Sequence, residues 1–478
     1  MAINEKRTIT KQSLDFPAWY QDVVKEAELA EMSEVRGCGI VRPYGLKIWE
    51  LIKAELSKRF EADGVEDVYF PIFVPLENLE AEKDHVEGFA PELAIVTHAG
   101  GEELVNKLAI RPTSEAAMYK TYSKWVQSYK DLPLRLNQWA NVVRWEKRPR
   151  PFLRWSEFLW QEGHTVFATE EEARAEVQKM LEVYKAIYEF MAIPAFTGRK
   201  SESEKFAGAV MTMTAEVMSR DGKAIQGATS HYLGTNFAKV FDVKYLGADG
   251  EFHFGHQNSW GFSWRSVGAL IMAHGDDNGL RLPPNVAPVQ VVIVPIYKDE
   301  AAREKVLAYC EDIKNNLKTK YRVKIDTRDN QTPGFKFNYW EVRGVPVRLE
   351  IGLKEMADNK VTIFRRDNDT KEVIALGELE TRLIELMSEI HNNFYNQALE
   401  FSKNHIHRIE SWDEIGDQVG WFEASWCEDE ESEKMLKEKY AMVSRELPSG
   451  NENKAPKNKK CFITGKEAKH DWYFAKSY

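Results

Sequence analysis

The chain has 478 residues, 43% of them apolar, an ordinary core fraction for a soluble protein and long enough for about three domains of ~150 residues. Its 75 acidic against 65 basic residues leave a net charge of −10, which argues against a surface basic throughout, so any nucleic-acid partner has to be gripped by a local cluster. No apolar run approaches the ~18 residues of a spanning helix and the opening MAINEKRTITKQ lacks an apolar signal core, so the expectation is a cytoplasmic protein with no membrane partner; Cys38, Cys310, Cys427 and Cys461 are too scattered for a disulfide framework and read as reduced thiols or metal ligands.

In chain order, YGLKIWELIKAELSKRFEAD (44–63) spaces Ile48, Leu51, Ile52, Leu56 and Phe60 as the stripe of an amphipathic helix that Gly64 ends. VYFPIFVP (68–75) reads as a buried extended segment, with Pro71 and Pro75 restricting it to an edge or a strand end. From 132 to 164, two β-compatible runs flank Pro149 and Pro151, which predicts two strands and a long hairpin loop. HFGHQNSWGFSW and the residues after it predict a strand, a short helix and a proline-rich exit at a domain boundary. Beyond Pro288 the pattern alternates: strand (VQVVIVPI), helix, strand (YRVKID), helix, then strands VPVRLEIG and KVTIFRR, as in a compact α/β domain ending near 405. The remainder is charged and includes a short polar linker at 449–460.

The hairpin loop holds the strongest signal. NVVRWEKRPRPFLRWSEFLWQEGH (141–164) packs Arg144, Lys147, Arg148, Arg150 and Arg154 around Glu146. A charge run of this kind is commonly just a solvated loop. Here, however, Trp145, Phe152, Trp155, Phe158 and Trp160 bracket the arginines. Guanidinium forks suit phosphate and carboxylate oxygens and aromatic faces suit a base, so the combination describes a nucleotide site. The chain has no G-x-x-x-x-G-K-[ST], so a phosphate-cradling glycine loop of that type is excluded.

These strings resemble the class II aminoacyl-tRNA synthetases. The run from Arg144 through Glu146 to Arg154 and Phe158 resembles their motif 2, SWGFSWR followed by GLRLPP resembles motif 3, and the helix, strand and Pro71 resemble motif 1. RPTSEAAMY, FLWQEGHT, KFAGA, AIQGATSHYLG and QNSWG narrow the likeness to prolyl-tRNA synthetases of the archaeal and eukaryotic-like type. The fold this implies is an α+β class II catalytic domain (antiparallel sheet with helices) over 1–287, an α/β anticodon-binding domain over 288–405 and a small α+β C-terminal domain over 406–478. The implied activity is a proline–tRNA ligase using ATP with Mg2+, with tRNA(Pro) and proline as partners and a homodimer built through motif 1.

Residue by residue, the resemblance implies that Arg144 bridges the amino-acid carboxylate and the α-phosphate, while Arg154 and Arg265 reach the far phosphates. Glu146 would accept from the adenine amino group, Phe158 would stack on the ring, and Gln226, Thr229 and Ser263 complete the ATP set. Such a reaction needs positioned cations more than a nucleophilic side chain. Proline carries a secondary ammonium with two N–H donors, which one hydroxyl and one carboxylate satisfy; Thr113 and Glu115 match that task. Trp160, Glu162, His164, Phe206 and His231 would complete the proline pocket. The stretch between 154 and 265 leaves no room for the editing insertion of bacterial-type relatives, so mischarged alanine should not be cleared in cis.

In the α/β domain Lys336, Glu341 and Lys354 are the candidate anticodon contacts, with Arg343, Arg348, Arg365 and Arg366 nearby; Lys318, Lys320, Arg322 and Lys324 read equally well as a solvated strand edge. The family's last module carries zinc on a C-x4-C and a C-x2-C pair, whereas this chain has Ser432 and Thr464 at the second and fourth places, so no metal is expected there. Also by resemblance, the terminal tyrosine should tuck towards the catalytic domain. Two other readings are a paralogue that charges a carrier protein, against which the anticodon-like domain argues, and a catalytically silent tRNA-binding protein. The latter would be expected to lack Arg144, Arg154, Arg265 or Glu115, and all four are present.

Overall fold

The structure is a computed structural model in which residues 9–80 and 92–478 are described. Its backbone is one eleven-stranded sheet, in the order Ile406–Arg408, Trp421–Trp426, His470–Ala475, Val443–Pro448, Phe196–Arg199, Met211–Met218, Ala224–Gly234, His256–Ser263, Glu157–Phe167, Leu134–Val143 and Glu66–Asp67. All pairs are antiparallel except the outermost at each end. The hairpin expected around the basic segment is present, with Leu134–Val143 paired to Glu157–Phe167 in continuous register from Leu134↔Val166 to Val143↔Glu157.

One face of the sheet is covered by the helix Glu170–Phe190, which Thr169 starts with a reciprocal capping box to Glu172. Its buried positions Ala173, Val177, Met180, Leu181, Tyr184, Ile187 and Tyr188 recur at helical spacing and face the strands Met211–Met218, Ala224–Gly234 and His256–Ser263. The motif-1-like helix runs Pro43–Ala62. Ile48, Ile52, Leu56 and Phe60 are buried as expected, but Leu51 is only half-buried and Trp49 is buried on the stripe beside them. Gly64, at φ +76°, turns the chain out of this helix, and the next amide, Val65 N–H, closes back on the Phe60 carbonyl at 3.0 Å.

The 68–75 segment differs from expectation. Only Phe70 and Val74 are buried, while Tyr69 is 73% and Phe73 50% exposed. The cause is its place at the margin: Glu66–Asp67 is the last strand of the large sheet, and Phe73–Pro75 joins Ile95–Ala99 and Glu102–Ile110 in a separate three-stranded sheet, so one side of the segment faces outward, with the Arg111 guanidinium 5.9 Å from the Tyr69 ring.

The α/β unit has a five-stranded sheet, in the order Val323–Ile325, Val291–Ile296, Val347–Gly352, Lys360–Arg365 and Lys371–Ala375, the first three parallel and the last two antiparallel. The strand Lys371–Ala375 and the 26-residue helix Leu379–Asn404 are further elements that the alternating pattern did not predict. Several of its basic residues hold domains together. Arg366 grips Asp276 with two bonds of 2.6 and 2.7 Å, and Arg322 donates to the carbonyls of Pro284 and Ala287 at 2.7 and 2.8 Å, clamping the proline-rich exit. Arg322 is thus not part of a solvated edge.

The last segment is not a separate bead. Its strand Val443–Pro448 pairs with Phe196–Arg199, so the large sheet runs straight into it. Beneath that seam Glu216 accepts from Lys200 at 2.7 Å and Arg445 at 2.6 Å. Burial would raise this carboxyl, but Arg445 and Lys200 outweigh it and hold the group down at about 2. Phe422, Trp426, Phe462, Trp472 and Phe474 form the module's own core, while Trp421 and Tyr473 pack towards Phe196.

Candidate active site

The central strands bring two cavities together where the basic hairpin meets the open face of the sheet. The first encloses about 250 Å3 and is lined by Thr113, Glu115, Arg144, Phe158, Trp160, Glu162, His164, Phe206, Gln226, Thr229, His231, Ser263 and Arg265, together with Glu204, Thr212 and the strand Trp260–Phe262. The second, of about 400 Å3, is lined by Glu146 and Arg154 as well as Glu92, Phe152 and Trp155, and shares Arg144, Phe158, Ser263 and Arg265 with the first. Every residue proposed to bind ATP or proline therefore falls in one of two adjoining cavities, with Arg144 and Arg265 at the junction, whereas Trp145, Lys147, Arg148 and Arg150 of the hairpin line neither.

Strand pairing explains the gathering. Glu157–Phe167 and His256–Ser263 are neighbours, with Glu162 opposite Gly261 and Trp160 opposite Ser263, so alternate residues of both strands point to one face. On the next strand His231 lies opposite Ser259 and Thr229 opposite Gly261. Gly163 is required by this arrangement: a Cβ there would come within 2.2 Å of the Trp260 ring.

At the closed end, Glu162 receives the Ser114 amide at 3.0 Å, the Ser114 hydroxyl, the Gln138 amide at 3.1 Å and the His164 Nε2 at 3.1 Å. The Thr113 hydroxyl donates to Glu115. Burial alone would lower the His164 imidazole, but the bond to Glu162 and the charges of Glu115 and Glu162 outweigh it and raise the ring above its ordinary value. His231 lies across the cavity; burial pushes it down to about 4, so it is a neutral ring near pH 7, its Nδ1 2.9 Å from the Thr212 hydroxyl and its face 4.6 Å from Phe206. The pocket thus has a carboxylate-rich end, formed by Glu115, Glu162 and His164 with ligating atoms within 4.8 Å of one another, and an aromatic wall.

At the other end the guanidinium of Arg144 lies 5.1 Å from the Trp160 ring and 5.5 Å from the Phe158 ring, steadied by its Nε–H on the Pro112 carbonyl at 2.9 Å. Arg265, first residue of the helix Arg265–His274, donates to the Leu153 carbonyl at 3.2 Å. Burial and the neighbouring arginines Arg144 and Arg154 lower the Arg265 pKa. Two buried polar atoms of the cavity walls, Trp160 Nε1 and Ser259 Oγ, have no partner among the described residues. The site can therefore hold a small cationic group at one end and a polyanion at the other, with a carboxylate between them.

Sequence reasoning did not find Gln138, Thr212 or Glu204. The signal available was period-2 polarity in buried strands: Thr212, Thr214 and Glu216 alternate along Met211–Met218 and all three are buried. The α/β candidates divide. Lys336 and Lys354 sit towards the edge where the parallel strands end, since Ile296 pairs with Gly352 and a cleft lined by Tyr297, Asn330 and Lys336 opens there. Lys336 is buried and its Nζ donates to the Asp326 carbonyl at 3.1 Å. Glu341 lies apart from that edge, holding Arg348 at 2.7 Å beside Glu350. Arg343, Arg365 and Arg366 are likewise engaged, with Glu28, Asp367 and Asp276.

An antiparallel sheet carrying an arginine-lined hairpin, joined to an α/β unit, is the arrangement that the resemblance to class II aminoacyl-tRNA synthetases implied, and comparison with known protein families shows that class. Residues 98–274 match the family described as tRNA synthetase class II core domain (G, H, P, S and T), residues 290–386 match the anticodon binding domain, and residues 410–478 match the C-terminal domain of prolyl-tRNA synthetase. Curated relatives include a "Proline--tRNA ligase 2" of Bacillus cereus, 47% identical over all of both chains. "Proline--tRNA ligase" of Symbiobacterium thermophilum is 47% identical over 99% of this chain and 98% of its own. That of Natranaerobius thermophilus is 48% identical over 92% of each. The chain belongs to the prolyl-tRNA synthetase family.

Proposed function

We propose that the chain is a proline–tRNA ligase: it activates proline with ATP to prolyl-adenylate, releasing pyrophosphate, and passes the prolyl group to the 3′ end of tRNA(Pro), releasing AMP. The observation that carries this reading is the junction of the two cavities at Arg144, which sets a carboxylate-rich pocket beside an arginine-lined one. The proline ammonium sits between Thr113 and Glu115, with Glu162 and His164 behind them, and the ring lies against Trp160, Phe206 and His231. Its carboxylate meets Arg144, placing one oxygen beside the α-phosphate. Bond formation to phosphorus expels pyrophosphate towards Arg154 and Arg265, and the positive field there stabilises the charge as it moves. Glu146 and Phe158 receive the adenine; Gln226, Thr229 and Ser263 serve the ribose and the junction.

Mg2+ would accompany the triphosphate as its counter-ion. Glu92, which lines the second cavity, would offer hard oxygen donors of the kind that suit it.

The α/β unit takes the anticodon loop at the edge where Lys336 and Lys354 lie, the position at which open α/β sheets bind ligands. The chain works as a homodimer in the cytoplasm. Among the described residues no helix is long and apolar enough to cross a membrane, and exposed apolar residues such as Tyr69, Phe73 and Val105 suit a partner surface.

Proline-dependent exchange of pyrophosphate into ATP, followed by charging of tRNA, tests the reading. Exchange with proline but not with other amino acids is expected; exchange that is indifferent to proline would overturn it.

A further inference from the structure

The loop from 200 to 210 connects the strands Phe196–Arg199 and Met211–Met218 and carries two walls of the amino-acid pocket, Glu204 and Phe206. Its shape depends on Ser201, whose carbonyl accepts the amides of Glu204 at 3.3 Å and Lys205 at 2.9 Å, closing the turn that presents Phe206. From there the Phe206 amide donates to the Thr212 hydroxyl at 3.0 Å, the same hydroxyl that meets His231. What holds Ser201 comes from far along the chain. Its hydroxyl bonds the Glu433 carboxylate at 3.1 Å and lies 2.9 Å from the Ser444 hydroxyl. Ser203 donates to the same Glu433 oxygen.

Glu433 lies in the helix Glu430–Tyr440 of the C-terminal module and is only 3% exposed. Its second oxygen accepts the Ser444 amide at 2.7 Å, at the start of the strand that pairs with Phe196–Arg199. One buried carboxylate therefore ties the module's helix, its strand and the pocket loop into a single hydrogen-bonded unit. A buried charge with this many donors is firmly placed, and whatever it holds is placed with it.

We infer that Glu433 is a positioning residue for amino-acid binding: through Ser201 and Ser203 it sets the loop that presents Phe206 and Glu204 to the substrate, and so makes the C-terminal module part of the selection of proline. The inference rests on the reading of this cavity as the proline pocket. The carboxyl of Glu204 adds a consistent detail, since burial and the nearby Glu433 raise it against the pull of Lys200. The contact crosses 232 residues of sequence and involves none of the ATP-facing arginines, so its loss should act on one substrate and spare the other.

The test is pyrophosphate exchange with full-length protein, measuring KM for proline and for ATP separately. Glu433→Ala is expected to raise the proline KM by about tenfold or more and to leave the ATP KM within about twofold. Ser201→Ala/Ser203→Ala removes the same bonds from the loop side without touching the C-terminal module, so it keeps the question answerable if Glu433→Ala does not fold. It should show the same split, and combined with Glu433→Ala it should add little, as expected for residues acting as one unit. Glu433→Asp should recover part of the proline affinity. A serine variant that melts earlier but keeps the wild-type proline KM, or in which both KM values move together, would show that the contact serves stability alone. Wild-type protein without proline-dependent exchange would instead overturn the reading of the pocket itself.

Discussion

Tyr478 donates its hydroxyl to Asp221 at 2.5 Å while the Arg150 guanidinium lies 5.4 Å from its ring centroid. The final residue thus bridges the turn before the strand Ala224–Gly234 and the tip of the basic hairpin. Its backbone is fixed as well, with the Ala224 amide on the Lys476 carbonyl at 2.8 Å and the Tyr478 amide on the Ala224 carbonyl at 3.1 Å. Deleting Lys476–Tyr478 removes these bonds and the aromatic face beside Arg150. Prolylation kcat/KM is expected to fall by roughly tenfold, as for the loss of one or two kcal/mol of hairpin positioning. Full activity in the truncated protein would reduce the contact to ordinary docking of a terminus.

Glu115 supplies a second expectation. Replacement by Gln keeps the size of the side chain and removes the charge proposed to face the proline ammonium. A charge-assisted bond of this kind contributes about 1.5–3 kcal/mol, so kcat/KM for proline should fall by roughly ten- to hundredfold. Steady-state exchange kinetics over a range of proline concentrations decides it; unchanged affinity and turnover would remove Glu115 from the pocket.

Acid stability gives a third. His274 is fully buried at the end of the helix Arg265–His274, its Nε2 3.0 Å from the Met191 carbonyl and its ring 5.1 Å from Phe394. Burial pushes its imidazole down from 6.5 to about 3. The unfolded chain therefore binds a proton here that the folded one refuses, so this contribution is complete above about pH 6.5 and is lost as pH falls towards about 3. The loss from this one group is roughly 1 kcal/mol at about pH 5.5. Melting temperature should decline between about pH 7 and pH 5.5, and His274→Gln, though less stable at neutral pH, should decline less steeply. Parallel curves for the two proteins would show that His274 does not set the slope.

How much of this is legible in the sequence follows the range of the interactions. The basic hairpin, the Pro43–Ala62 helix and the α/β alternation rest on local periodicity and turn chemistry, and the structure has them. The catalytic candidates come from short strings, and the strands carrying those strings pair so that the strings share one pair of cavities. The exposed side of Tyr69 and Phe73 escapes a sequence reading because an apolar run does not say which strand is last in a sheet. The grip of Arg366 on Asp276, 90 residues away, and the joining of Val443–Pro448 to Phe196–Arg199 are out of reach for the same reason. An edge pairing or a long-range ion pair leaves no periodic trace in either partner.

The exposed apolar residues near that edge bear on assembly. Tyr69 and Phe73 stand beside a sheet margin, and Val105 is 98% exposed on the strand Glu102–Ile110. If this surface is covered by a second copy, light scattering at micromolar concentration should give twice the 55.2 kDa chain mass. Tyr69→Lys with Phe73→Lys should shift the mass towards the monomer and lower activity with it. A fully active monomer would exclude the dimer.

The C-terminal module should fold without zinc. Cys427 Sγ lies 3.7 Å from the Thr464 hydroxyl and 3.9 Å from that of Ser432, so the structure does bring these positions together with Cys461 beside them. The chemistry of the four groups is what argues against a metal. A structural zinc site needs four ligands in tetrahedral array, and thiolates serve because they are soft and give up their protons on binding. Serine and threonine hydroxyls keep theirs near neutral pH. The Ser432 hydroxyl is also committed elsewhere, donating to the Asp429 carbonyl at 2.5 Å and accepting from the Trp426 indole at 2.7 Å. Burial raises the Cys427 thiol against the help of Thr464, whereas at Cys461 burial is outweighed by the bonds from Thr464 and nearby backbone amides, which lower the thiol. His470, a nearby side chain of ligating type, points Nδ1 at Glu428 at 2.6 Å and Nε2 at the Glu452 carbonyl at 3.0 Å. The module also has an aromatic core of its own: Trp426 packs edge-on against Trp472 and Phe474 with centroids 5.2 and 5.6 Å away. Protein purified without chelator should hold well under one zinc per chain, and chelator should leave its melting temperature unchanged. Ser432→Cys with Thr464→Cys, which restores four thiols, should take up zinc stoichiometrically and then melt at a lower temperature once chelator is added. Stoichiometric zinc in the unaltered chain, lost together with stability on chelation, would show that hydroxyls or a neighbouring carboxylate do complete the site.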